Sequence, residues 1–240
     1  MRDGDSNLLI LTLYVIGITY TFNQMVDSID DQIKLEFNKA KVDEQLKEQE
    51  LKDAIGVSFS LKPMYSIKDP KDLSINIENK SEDIIVYVDW DNCTFMEFDG
   101  VSRRVMRETP VDKPAIIRDL AVPQVTSAIV PKTTLKEKIS SESVFELDME
   151  TRIYKARDEA SIANVLKWKS SPIRAQKKEF RKFMDRKRNF EFSLNLVLRL
   201  ASKYVGLAPG RDFPPVCVVN CPFTVRKLPW TYALPWNKRR

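Results

Sequence analysis

Between residues 167 and 188 the chain gathers ten cations, Lys167, Lys169, Arg174, Lys177, Lys178, Arg181, Lys182, Arg186, Lys187 and Arg188, against only Glu179 and Asp185. That is a local charge of plus eight in a chain of net plus five, so all other residues together carry minus three. Interleaved with Trp168, Phe180 and Phe183, these cations offer attraction for phosphate or carboxylate anions and the rings offer apolar contact. The partners they fit are anionic lipid headgroups or an acidic protein. Nucleic acid ranks lower, because no recognition motif accompanies the charge. The plain alternative is a solvated helix face whose rings pack on their own domain. The candidate binding residues are therefore Trp168, Arg174, Lys177, Lys178, Arg181, Lys182 and Arg186, joined by Trp230 and Trp236 of the tail, since tryptophan is a frequent interface anchor.

A second cluster, Asp89, Asp91 and Asn92, could support carboxylate chemistry on a carbohydrate polymer, or hold calcium. One short cluster offers too few oxygen ligands for the usual six to eight, and sequence spacing cannot establish a two-carboxylate geometry. The chain contains no histidine, which removes the commonest general base, the Ser-His-Asp and Cys-His systems and most zinc sites. Cys93, Cys217 and Cys221 leave one thiol unpaired in any pairing. On a straight strand Cys217 and Cys221 would face one side about 13 Å apart, too far for a disulfide unless a turn at Asn220 and Pro222 draws them together. The expectation is no catalytic constellation, no metal site and no cofactor.

Several elements must position these residues. Residues 8–22 form an uncharged apolar run broken only by Thr12, Thr19, Thr21, Gly17 and two tyrosines. As a helix it spans about 22 Å, short of a hydrocarbon core of roughly 30 Å, and extension to Val26 nearly closes the gap. A cleaved signal would need a basic leader and a small-residue cleavage site, and neither is present; a buried core helix is the soluble alternative. The reading adopted is a single transmembrane anchor over residues 1–26. Residues 27–55 are charged and lack Gly and Pro until Gly56. With Ile29, Ile33, Phe37 and Ala40 at helical spacing, they predict a helical stalk.

From Val57 the period becomes two. Val57, Phe59 and Leu61, then Leu73, Ile75 and Ile77, then Ile84, Val86, Val88 and Trp90 alternate with other residues, as half-buried strands do. Trp90 is predicted to face the core, and Asp89 and Asp91 to face outward. Asp99-Gly100 predicts a tight hairpin turn. Further strands are expected over residues 122–130 and 133–139 and around Phe145, Leu147 and Met149, with a loop over 110–119. Residues 156–188 predict a helical insertion: a first helix on the stripe Ala156, Ala160, Ala163 and Leu166, and a second one starting at Ser171-Pro172. Phe190 to Leu200 alternates most clearly of all. Residues 209–240 form an extended aromatic tail. Many short strands without intervening helices predict a mainly β chain, an immunoglobulin-like antiparallel sandwich over residues 56–240.

The stretch Ile84-Ile-Val-Tyr-Val-Asp-Trp-Asp-Asn-Cys-Thr-Phe, followed by Asp99-Gly-Val-Ser-Arg-Arg-Val-Met-Arg and later Val130-Pro131-Lys132, resembles a pattern in uncharacterised bacterial envelope proteins. Those carry a small immunoglobulin-like sandwich behind a signal, lipid anchor or transmembrane helix. The resemblance covers residues 73–139 and implies fold and an extracytoplasmic address rather than an activity. Anchor, β core and missing catalytic set together predict a membrane-tethered interaction or structural module. The alternatives are an accessory subunit of a larger membrane complex and a carboxylate-dependent enzyme acting on an envelope polymer.

Overall fold

Alternation of apolar and polar side chains decides most of the architecture. The computed structural model describes residues 3–29, 31–108, 123–150, 153–158, 160–202 and 216–233. The first half comprises α1 (Asp3–Ile29), β1 (Gln32–Phe37), α2 (Lys39–Glu48), β2 (Ile55–Ser60), β3 (Tyr65–Ser66), β4 (Leu73–Asn79), β5 (Ile84–Val88), β6 (Thr94–Met96) and β7 (Ser102–Glu108). There follow β8 (Ser127–Ile129), β9 (Thr134–Ser141), β10 (Phe145–Asp148), β11 (Ile153–Ala156), α3 (Arg174–Met184), β12 (Phe190–Ser202) and β13 (Val216–Lys227). Short 3₁₀ turns lie at Val165–Trp168 and Trp230–Ala233.

The chain is mainly β. One antiparallel, curled sheet runs β2-β4-β9-β7-β6-β12-β13-β1-β3, with β5 on β12 and β8 on β5, while β10 and β11 pair by themselves. Its spine is β12, whose alternate residues Phe190, Phe192, Leu194, Leu196, Leu198 and Leu200 are all buried. Burial of each such side chain contributes at most about 1.5–3 kcal/mol. The hairpin at Asp99-Gly100 forms as the sequence predicts: Gly100 has φ +80°, and the Glu97 N–H donates to the Val101 carbonyl at 2.9 Å.

Curling leaves a seam where β2 approaches β1 and β13. Phe37, Phe59 and Phe223 fill it, with ring centroids 4.7 to 5.3 Å apart. α2 lies over the same seam and buries Val42 and Leu46. Beyond the end of β1, α2 also supplies the missing strand partner for β13. The Asn220 N–H donates to Gln45 Oε1 at 2.8 Å, and Gln45 Nε2 donates to the Asn220 carbonyl at 2.9 Å. Pro222 sits at this handover, its carbonyl accepting from the Asn38 N–H, so its lack of an N–H breaks no ladder bond.

Three expectations need correction. The helical stalk over 27–55 is not formed: Gln32–Phe37 is a strand paired with β13, Ile33 opposite Lys227. Ile33 and Phe37 fit a period of two as well as four, and pairing with β13 buries Ile33 and Leu35 together. The first insertion helix is absent too, since Ile153–Ala156 pairs with β10 and Val165–Trp168 is a 3₁₀ turn. The second helix does form, beginning at Arg174 rather than at Pro172. Finally, among the described residues no helix is long and apolar enough to cross a membrane, so the transmembrane helix expected within residues 1–26 is not established. The loop expected over 110–119 lies outside the described residues.

Candidate functional site

α3 carries its two chemistries on opposite faces. Arg174, Lys177, Lys178 and Arg181, spaced i, i+3, i+4, i+7, are exposed, whereas Phe183 is fully buried and Phe180 and Met184 pack against the core. The inward rings complete an aromatic cluster: Phe183 meets Phe190 at 4.9 Å, and Trp168 meets Phe98 at 4.7 Å and Phe190 at 5.1 Å. The plain alternative therefore holds for the rings. Trp168 is a packing residue and presents little to a partner.

The acids near α3 are already engaged. Glu179 receives Lys182 at 2.7 Å and is paired with Arg188, and Asp185 receives Lys187 at 3.4 Å. Lys167, just upstream, ties the segment to the Asp99-Gly100 hairpin, with Nζ 2.6 Å from Asp99 Oδ2 and 3.2 Å from Glu97 Oε2. Burial disfavours the Lys167 ammonium, yet the Asp99 and Glu97 carboxylates outweigh it and hold its pKa above the ordinary 10.5. Burial likewise opposes Asp99 ionisation, and the Lys167 hydrogen bond overrides it to lower the Asp99 pKa. No acidic partner is present, among the described residues, for Lys169, Arg174, Lys177, Lys178, Arg181 or Arg186. Of the predicted binding residues, α3 thus brings Arg174, Lys177, Lys178 and Arg181 together with Arg186 nearby, while Lys182 is spent internally. Lys169 belongs to the free set and was discernible from its charge alone.

Asp89 and Asp91 are held apart by separate arginines. Asp89 is buried, contrary to its expected outward position, and is paired with Arg199 while accepting from Asn92 Nδ2 at 2.9 Å. Asp91 is paired with Arg104 and accepts from the Gln124 N–H at 3.0 Å. Burial would raise both, but these hydrogen bonds and guanidinium charges prevail, leaving each carboxyl below its ordinary 3.8. Groups held ionised in this way have no proton to donate near neutral pH. Trp90 is fully buried, as its phase predicts, and its Nε1 donates to Ser127 Oγ at 2.9 Å.

All three cysteines are free and buried. β13 runs straight through Asn220 and Pro222, so the turn needed to bridge Cys217 and Cys221 does not form. Burial raises the Cys93 and Cys217 thiols to about 11 and also pushes Cys221 up, leaving little nucleophilic thiolate.

α1 stands apart from every other element in its surface. Its large apolar side chains from Leu8 to Met25 are 45 to 66% exposed and lie all around the helix. The hydroxyls that interrupt them turn inward: Thr12 donates to the Leu8 carbonyl, Thr19 to Val15 and Thr21 to Gly17, each at 2.8 Å. Near its end Phe22 meets Trp230 edge-on, centroids 6.3 Å apart. Trp230 is therefore placed beside α1, not beside α3; Trp236 lies outside the described residues. Comparison with known proteins finds no family model, no curated relative and no solved structure that matches this chain.

Proposed function

We propose that this chain is a membrane-tethered, non-catalytic interaction or structural module of the bacterial envelope, anchored by α1 and presenting an immunoglobulin-like sandwich. The observation that carries the reading is the surface of α1. A helix apolar on every side is stable only when something apolar covers it, and here the three threonine hydroxyls that would need water are satisfied by backbone carbonyls, as a lipid environment demands. The run of about 22 Å is shorter than a typical bilayer core, a mismatch that local thinning and interfacial aromatics such as Tyr20 and Trp230 offset.

The immunoglobulin-like assignment is supported by strand order. The path β2-β4-β9-β7 follows the order of the sheet ABED, and β5 and β6, which both pair with β12, stand at the place of strand C beside β12 and β13, with the buried Trp90 between β5 and β6. The resemblance over residues 73–139 agrees in fold and in address.

The anchor is tested by alkaline carbonate extraction of membranes from cells making the full chain. The protein is expected to stay in the pellet, and Leu11→Asp with Ile16→Asp is expected to release it while the tryptophan fluorescence of the folded domain is unchanged. Recovery of the unaltered chain in the aqueous fraction would overturn the proposal. An accessory-subunit reading is favoured by one feature, the groove that Leu13, Gly17 and Thr21 form along α1, where a Cβ added to Gly17 would meet no atom within 4 Å. Native sizing in mild detergent separates it from a free monomer.

A further inference from the structure

We infer that the outer face of α3 is a cationic shelf that lies on anionic lipid headgroups beside the root of α1; this rests on the anchor reading above. The argument is one of placement. β1 begins three residues after α1 ends, with Ile33 opposite Lys227 on β13, and Phe190 at the start of β12 is opposite Val225. The root of α1, the end of β13 and the start of β12 therefore share one end of the sheet, and strands two apart are separated by about 10 Å.

α3 closes that same end. Phe183 reaches in to Phe190. The Asp99-Gly100 turn is there as well, because β6 runs toward it with Met96 opposite Ser193, and Lys167 fastens the segment leading into α3 to Asp99. With the rings of α3 directed into the sandwich, Arg174, Lys177, Lys178 and Arg181 are exposed to solvent at the end from which α1 departs. Glu179 and Asp185, the only acids in the segment, are consumed by Lys182, Arg188 and Lys187, so the outward face is positive without compensation. Phe22 against Trp230 puts an aromatic contact beside α1 at this end of the sheet, and tryptophan favours the headgroup boundary.

The opposite end supplies an internal control. Ile84 is opposite Ser202, about 40 Å along β12 from Phe190 at 3.3 Å per residue. Beside Ile84 lie Lys80 and Lys132, the latter 3.3 Å from Glu82 and well exposed.

Basic residues at a negative membrane surface each contribute enough to shift partition several-fold, and the attraction is screened by salt. The experiment uses the full chain reconstituted into vesicles of phosphatidylcholine alone, or mixed with phosphatidylglycerol, and acylates lysines before mass spectrometry. In the anionic vesicles labelling of Lys177 and Lys178 relative to Lys80 and Lys132 is expected to fall about tenfold, on the order expected for several such charges. High salt should restore it, and Arg174→Gln with Arg181→Gln should weaken it. Flotation of the chain with both vesicle types reports the anchor separately. A chain that floats with both but labels equally in both overturns the shelf and leaves the anchor standing, including the case where α3 instead serves an acidic protein. A chain that floats only with anionic vesicles, with Lys177 and Lys178 protected, keeps the shelf and overturns the anchor. A chain that floats with neither overturns both.

Discussion

α1 and α3 are both helices with conspicuous surfaces, and they solve opposite problems. α3 has a single aromatic stripe, so it can bury Phe183 on its own domain and leave its cations in water. α1 is apolar on every side, so no single contact with the sandwich could cover it, and Phe22 against Trp230 is its one aromatic contact among the described residues. The lesson is that the width of an apolar stripe, more than its hydrophobicity, decides whether a helix joins its own core or needs another medium.

The comparison is sharpest under truncation. Phe183→Ala is expected to cost the domain about 3–5 kcal/mol, as loss of a buried aromatic ring does, whereas Leu13→Ala in α1 should change domain stability by no more than about 0.5 kcal/mol. Denaturant titration of each variant in mild detergent reads both, and a large loss for Leu13→Ala would break the contrast. A smaller effect is expected for α2. Gln45→Ala strands the N–H and carbonyl of Asn220, which both bond to that one side chain, at about 1–3 kcal/mol; Gln45→Glu keeps the acceptor and should lose less.

The smallest effect is expected with pH, and it arises from carboxylates of the β domain; the described side chains of α1 include none. Asp89, Asp91 and Asp99 are held below their ordinary 3.8. They contribute stability that is complete above 3.8 and lost as pH falls through their lower native values. Glu108 and Glu137 run the other way, raised above 4.5 by burial, and add stability as they protonate. The urea midpoint should therefore rise slightly as pH falls toward 4.5, then drop below 3.8. Asp99→Asn should blunt that drop.

Much of this was legible in the sequence wherever one period dominated. Phe190 to Leu200 alternates with the single exception of Val197, and β12 forms there. β1 is not legible in the same way, because Ile33 and Phe37 satisfy a helical spacing as readily as a strand, and its partner, β13, is distant along the chain. The mixed fate of the basic segment has a similar origin. Charge and aromatic spacing revealed an amphipathic helix, but no local feature said that Lys167 would reach the hairpin at Asp99 or that Lys182 would be used on Glu179. Asp89 was placed outward by strand phase, and a long-range arginine, Arg199, made its burial tolerable instead.

The seam between α2 and β13 carries a consequence for how the molecule is made. Gln45 and Asn220 are 175 residues apart in sequence, and β1 waits equally long for the strand that completes it. Contacts of such separation slow folding, because loop closure must precede any reward. During synthesis β1 has only the two-residue β3 to pair with until β13 has emerged, so the strand next to α1 keeps its longer edge open while the rest of the sheet assembles.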